Sequence, residues 1–260
     1  MTMPSWEEML PVRREEALNA LAYFTRLRFA GREALPPGAL AEASWSFPLI
    51  GLAIGVAGTI VYDLAALLGV PPLVSGLLAI GATAIISGGL HEDGLAHTAE
   101  GLSGGHSAEE RLETLRTGQI GVYGILAIVL SVGLRGAALA ALGTGLGMLG
   151  VVAGLVAAHS LARGLLPAAL LWGNRAPQDA LDAGTPSLTY TGIAAGIGLL
   201  IAILAMGFKP ALLAFILAAV AMAAVLYAAQ RRAGGYTGEV LGAMEQAGEI
   251  VILLIAAAWA

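Results

Sequence analysis

No cysteine occurs in the 260 residues. Disulfides, thiolate metal ligands and cysteine nucleophiles are therefore excluded. Lysine is nearly absent, with Lys209 the single example. Charge of either sign is scarce. Charged residues make up 12% of the chain, about half the share of a soluble domain. A soluble chain covers its surface with such groups, and this one has too few. The formal net charge is -5 and no basic run exists to neutralise phosphates, so no nucleic-acid partner is expected. The stretch from Met1 to Ala30 lacks a short apolar core followed by a small-residue cleavage site. No removable signal peptide is expected there.

What the chain does have is apolar length. Hydrophobic residues reach 58% and mean hydropathy is +0.82, so the lipid bilayer is the expected solvent for much of it. A span needs about 20 mostly apolar residues, because backbone groups cannot stay unpaired in hydrocarbon. The candidates are 47–70, 71–90, 120–142, 145–171, 190–208, 210–229 and 240–260. Pro71-Pro72 divides the first two. The last carries Glu245 and Glu249 in its first half. The expected fold is all-α: one polytopic membrane domain over 1–260, with six or seven transmembrane helices. Within it, 1–45 forms an N-terminal segment and 88–119 a motif loop. From Trp6 to Phe29 charged and apolar residues alternate at helical spacing, which predicts an amphipathic helix on the membrane surface.

The basic residues fix an expected orientation. Arg13, Arg14, Arg26, Arg28, Arg32, Arg111, Arg116, Arg163, Arg175, Arg231 and Arg232 fall on one side of these spans. Lys209 falls on the other, and Arg135 lies within a span. The positive-inside rule makes the crowded side, with the N-terminus, cytoplasmic. Pairs such as Gly51/Gly55 and Gly192/Gly196 put small residues on one helix face, as close helix packing requires.

Three segments hold the chemistry. Residues 88–105, GGLHEDGLAHTAEGLSGG, bring His91, Glu92, Asp93, His97 and Glu100 into a chain otherwise poor in charge. On a helix, Asp93, His97 and Glu100 share one face. Carboxylates there can hold a hard cation such as Mg²⁺, which shares its shell with substrate phosphates. A merely polar loop is the plainer alternative, and Glu92 is the member expected to be plain surface. Residues 107–110 read as a capping box opening a short surface helix through Arg116. In residues 234–249, Glu239, Gly242, Gln246 and Glu249 form one helical stripe. Acids entering a membrane helix are functional candidates unless paired, here with Arg231 or Arg232. Arg163, one turn after His159, either clamps a phosphate or snorkels to the headgroups. Asp63 and Arg135 are expected near the opposite face, as an ion pair or as two snorkelling ends.

Taken in order, YFTRLRF (23–29), SFPLIGLAIG (46–55), GGLHEDGLAHTAEGLSGG (88–105), ERLETLRTGQIGVYGILAIVL (110–130) and GGYTGEVLGAMEQAGEI (234–250) resemble the cobalamin synthase family. Its members are also called adenosylcobinamide-GDP ribazoletransferases. The resemblance implies a bacterial inner-membrane enzyme. It would join adenosylcobinamide-GDP to α-ribazole or its 5'-phosphate, releasing GMP, with Mg²⁺ as cofactor. On the matching positions it implies Asp93, His97 and His91 as catalytic groups. Asp93, Glu100 and Glu239 would hold the metal, and Arg163, Gln246, Glu249 and Thr237 the substrate. Three places depart from the family pattern. His97 and Glu100 stand where the family has Asp in A-D-T-A-D-G. Arg116-Thr117-Gly118-Gln119-Ile120-Gly121 replaces K-D-S-R-I-G. Thr237-Gly238-Glu239 replaces T-G-D. A membrane transporter and a corrinoid-binding member without catalysis are the alternatives, and assembly as a homo-oligomer is left open.

Overall fold

A computed structural model describes residues 6–27, 35–105, 107–177 and 181–260. The described chain is helical, with one isolated parallel bridge between Arg175 and Tyr236. The elements are α1 (Trp6–Phe24), α2 (Ala39–Ala43), α3 (Phe47–Leu67), α4 (Pro72–Ser87), α5 (Leu90–Ser103), α6 (Ala108–Thr117), α7 (Val122–Gly145), α8 (Gly147–Trp172), α9 (Leu188–Met206), α10 (Phe208–Ala233) and α11 (Gly238–Ala258).

Among the described residues, six stretches are long and apolar enough to cross a membrane: Ala39–Leu67, α7, α8, α9, α10 and α11. The polytopic helical bundle expected from composition is therefore present, the acid-bearing C-terminal span included. Their outer faces carry exposed large apolar side chains such as Leu64, Leu149, Leu204 and Val220. In water such a surface would aggregate; in lipid it is solvated.

The expected second span is different. Over 71–90 the chain forms α4, only 16 residues long, and α5 follows it at 93°. The sequence explains the break. Gly88 and Gly89 both take left-handed φ, +72° and +70°. The Gly89 N–H donates to the Ala84 carbonyl at 2.7 Å and the Gly88 N–H to the Ile85 carbonyl at 3.1 Å. This pair of bonds closes a helix C-terminus in the Schellman pattern, and α5 starts in a new direction. Residues 88–105 are thus mainly a helix packed between α7 and α11, not a loop at the rim.

α8 is the central helix. Residues 154–167 are buried without interruption, as expected of a helix enclosed on all sides. α3 lies along it at short range. A Cβ on Gly51 would stand 2.1 Å from the His159 carbonyl oxygen, and one on Gly55 2.7 Å from that of Leu155. The Gly51/Gly55 packing reading therefore holds. The Gly192/Gly196 reading is corrected, because added Cβ atoms there meet nothing within 4 Å. The α8–α9 contact runs instead through Gly164, Ala194 and Gly198.

The N-terminal helix ends at Phe24, and the expected extension to Phe29 lies outside the described residues beyond Leu27. So do Arg28 and Arg32. α1 docks by its polar side: Glu16 pairs with Arg13 at 2.7 Å and accepts from the Trp45 indole at 2.6 Å, and Arg13 also meets the Tyr190 hydroxyl. Its apolar side buries Ala20 and Phe24.

These contacts give a first expected outcome. Gly51→Ala should destabilise the purified protein by about 1–3 kcal/mol, because the α8 backbone cannot yield. Gly196→Ala should leave stability unchanged within about 0.5 kcal/mol. Thermal unfolding of both variants in the same detergent checks the contrast.

Candidate active site

Two polar regions meet at the Gly88–Gly89 bend. The first is a cavity of about 700 Å³ whose lining includes Arg26, Gly88, Gly89, Glu92 and Asp93, with both polar and apolar neighbours. Asp93 is 63% exposed by side chain, and its Oδ2 lies 3.6 Å from Nδ1 of His97, one turn on. Glu92 borders the same cavity, and its buried Oε2 lacks a hydrogen-bond partner.

The second region is a buried ionic network. Arg135 spans Glu92 Oε1 at 3.2 Å and Glu249 Oε2 at 3.0 Å. Arg163 meets Glu249 Oε1 at 3.0 Å and also pairs with Glu245. His159 contacts Glu249, and His91 lies 3.0 Å from Glu245 Oε2 through Nδ1. Gln246 accepts from the Ser131 hydroxyl at 2.8 Å and donates to Glu245 Oε2 at 3.2 Å. Both arginines, both histidines, Glu245, Gln246 and Glu249 are buried.

The network is deep. Arg135, His159 and Glu249 each lie near the middle of their helices, α7, α8 and α11. At a rise of roughly 1.5 Å per residue these positions are about 17–20 Å from the helix ends that carry the motif segments. Charge at that depth persists only when paired. Each of the three carboxylates meets a guanidinium, with two imidazoles between them, while Nε of both arginines has no partner.

Several sequence expectations change here. Arg135 is not at the opposite face with Asp63; it faces the core and pairs with Glu92 and Glu249. Glu92 is not plain surface. Arg163 neither snorkels nor stands open to a ligand, and it leaves the set of basic residues counted at the membrane rim. The polar groups do not all gather at one face, because the network sits well inside. It encloses no measurable volume, so it offers no passage to a solute. The transporter alternative gains no support from it.

The expected site residues separate accordingly. Asp93 faces the cavity with His97 behind it. His91, Arg163, Gln246 and Glu249 belong to the network. Glu100 accepts from the Gly124 N–H at 3.0 Å, in the first turn of α7, where a carboxylate satisfies an unpaired donor and the helix dipole. Glu239 stands half-buried in the first turn of α11, and its carbonyl crosses Gly94 of α5. Thr237 is buried just before α11, its hydroxyl without a partner. Among the described residues Asp93, Glu100 and Glu239 do not gather their ligand atoms within 4.8 Å; His159, Glu245 and Glu249 do. That trio is interleaved with Arg163 and has no room around it, so a cation does not suit it.

The surface helix behaves as expected. The Ser107 hydroxyl accepts from the Glu110 N–H and opens α6. Arg111 is committed to the carbonyls of Gly104, Gly105 and Arg232, which ties the α5–α6 turn to α10. Arg232 donates to the Leu102 carbonyl, and neither Arg231 nor Arg232 forms an ion pair with Glu239 among the described residues. Residues missed in the sequence are Arg26, Arg135, His159 and Glu245. For His159 and Glu245 the available signal was helical spacing, since His159/Arg163 and Glu245/Glu249 are each four apart. For Arg135 it was a lone charge within an apolar run.

A family model described as cobalamin-5-phosphate synthase matches residues 16–257. The chain belongs to this family. The adenosylcobinamide-GDP ribazoletransferase of Bradyrhizobium diazoefficiens is 43% identical over 242 residues, 92% of each chain. Its counterpart in Mesorhizobium japonicum is 36% identical over 93% of this chain and 92% of its own. That of Azorhizobium caulinodans is 37% identical over 90% and 92%. No solved structure matches the chain. Within the family pattern, the departing stretches touch one another. Glu100 caps the helix that follows the 116–121 turn, and a Cβ on Gly118 would lie 3.5 Å from the His97 ring.

Removing one guanidinium tests the network. Arg135→Met should destabilise the protein by about 3–5 kcal/mol, since Glu92 and Glu249 would lose their shared partner. Adding Glu249→Gln should recover part of that loss. Unfolding of the single and double variants in mixed micelles measures the coupling.

Proposed function

We propose that this protein joins adenosylcobinamide-GDP to α-ribazole, or to its 5'-phosphate, and releases GMP. The observation that carries the reading is the cavity at the α4–α5 bend. It is large, it opens beside the family's H-x-D motif, and it presents Asp93 to solvent. The ribazole hydroxyl oxygen attacks the phosphorus next to cobinamide. A new P–O bond forms there, the bond to the GMP phosphate breaks, and GMP leaves with the electron pair. The hydroxyl proton must go to a base at the cavity. Asp93, which borders the cavity, and His97, 3.6 Å from it, are the candidates to take it.

Mg²⁺ is part of the proposal. Its donors must be oxygens. Asp93 and Glu92 border the cavity with their carboxylates, and the buried Oε2 of Glu92 has no hydrogen-bond partner, which fits a cation that also binds substrate phosphate. When bound it would neutralise the diphosphate and the charge developing on GMP. Glu239 remains a candidate ligand from α11. Glu100, as the cap of α7, is assigned to holding the 118–124 turn in place. The buried network orients α5 and so sets where Asp93 stands. The reading also takes the motif end of the bundle as cytoplasmic, in a bacterial inner membrane, because Arg111, Arg116, Arg175, Arg231 and Arg232 cluster there.

The decisive assay gives the purified protein, in liposomes, adenosylcobinamide-GDP and α-ribazole, with Mg²⁺ or with a chelator. Metal-dependent GMP release with matching corrinoid product is expected. Asp93→Asn should lower kcat by about 10²-fold or more while the protein still inserts and unfolds at the wild-type temperature. Full turnover in that variant would overturn the assignment of Asp93.

A further inference from the structure

The cavity at the bend has an unbalanced lining. Three charged side chains border it: Arg26, Glu92 and Asp93. Glu92 is already compensated from inside the bundle by Arg135. Asp93 is 63% exposed by side chain and faces outward. A diphosphate entering this space passes these carboxylates, and among the described lining residues the basic side chain is Arg26.

Arg26 is built as an anchored arm with an open end. Its backbone N–H donates to the Ile86 carbonyl at 2.8 Å, which ties the segment after α1 to the last turn of α4. The preceding Thr25 is tied as well, its N–H at 3.0 Å and its hydroxyl at 2.7 Å from the Leu21 carbonyl. The guanidinium has no such hold. It pairs with no described carboxylate, and its side-chain contact is a long 3.4 Å approach to the Gly88 carbonyl. The arm lies against the bend: a Cβ on Gly88 would lie 2.4 Å from Nε of Arg26. A guanidinium keeps its charge at any working pH and offers a planar fork of donors that matches phosphate oxygens.

We propose that Arg26 binds the diphosphate of the corrinoid substrate at the mouth of this cavity. The inference rests on the transferase reading and adds a substrate-binding residue from a segment outside the motif helices. It also makes a distinction between the two substrates. Unphosphorylated α-ribazole carries no anionic group for Arg26 to hold.

The test compares Arg26→Gln and Arg26→Lys with wild type in liposomes. For Arg26→Gln the KM for adenosylcobinamide-GDP should rise about tenfold, roughly 1.4 kcal/mol. The KM for unphosphorylated α-ribazole should stay within about twofold. Arg26→Lys keeps the charge but loses the fork, and should raise the corrinoid KM by about threefold. An unchanged corrinoid KM in both variants, or an equal rise in the two KM values, would overturn the assignment; the second result would mean that Arg26 only braces the bend. Equilibrium dialysis of adenosylcobinamide-GDP, without second substrate, separates this inference from the reading beneath it. If wild type binds the corrinoid but releases no GMP, the transferase reading falls, and a tenfold weaker binding by Arg26→Gln still upholds the role of Arg26. If wild type binds no corrinoid, both fall. Should Arg26→Gln fail to insert, Arg26→Lys decides by the same split between the two KM values.

Discussion

Everything near the site depends on keeping two arginines paired inside a membrane protein. Arg135 and Arg163 sit on different helices, and neither can reach water. Each therefore needs carboxylates from elsewhere in the chain, and Glu92, Glu245 and Glu249 supply them from α5 and α11. The pairing leaves little freedom in how α5, α7, α8 and α11 stand relative to one another. A slip of one helical turn would leave a charge unpaired in a low-dielectric interior, where the penalty is several kcal/mol. The network thus acts as a register lock, with Gln246 and Ser131 filling its polar edge.

The lock is linked to the cavity through one residue. Glu92 holds Arg135 with one carboxylate oxygen and borders the cavity with its side chain, and Asp93 follows it directly. The Gly88–Gly89 turn makes this geometry accessible. A continuous second span would have carried residues 88–103 out to the rim. Two left-handed glycines instead redirect the chain by 93°. α5 then runs between α7 and α11, close enough that Gly94 and Gly242 approach at Cα level. Side chains at either position would push α5 away and uncouple Asp93 from the network.

The departures from the family pattern gain a spatial meaning. His97 and Glu100, one turn apart on α5, both face the turn that leads into α7. His97 and the 116–121 turn lie on two surfaces in contact. Glu100 has the reach to cap α7, and α7 carries Arg135. The cap therefore helps hold the far end of the network as well.

Composition and periodicity by themselves determined the solvent, the helical class and six of the seven span positions. They also marked the segments that carry chemistry, since a charge in so apolar a chain stands out. The helical stripe Gly242, Gln246 and Glu249 was legible for the same reason: side chains three and four apart must share a face. What remained hidden was which stripe meets which. Arg135 was an isolated charge in one span, Glu92 looked like surface, and Arg26 belonged to an N-terminal segment far away in sequence. Their partners lie 43, 114 and 62 residues off. Only the tertiary structure brought them together. Pairing between helices depends on the bend at Gly88–Gly89 and on contacts through Gly94 and Gly242, whereas one-dimensional spacing constrains neighbours on a single helix and nothing beyond it.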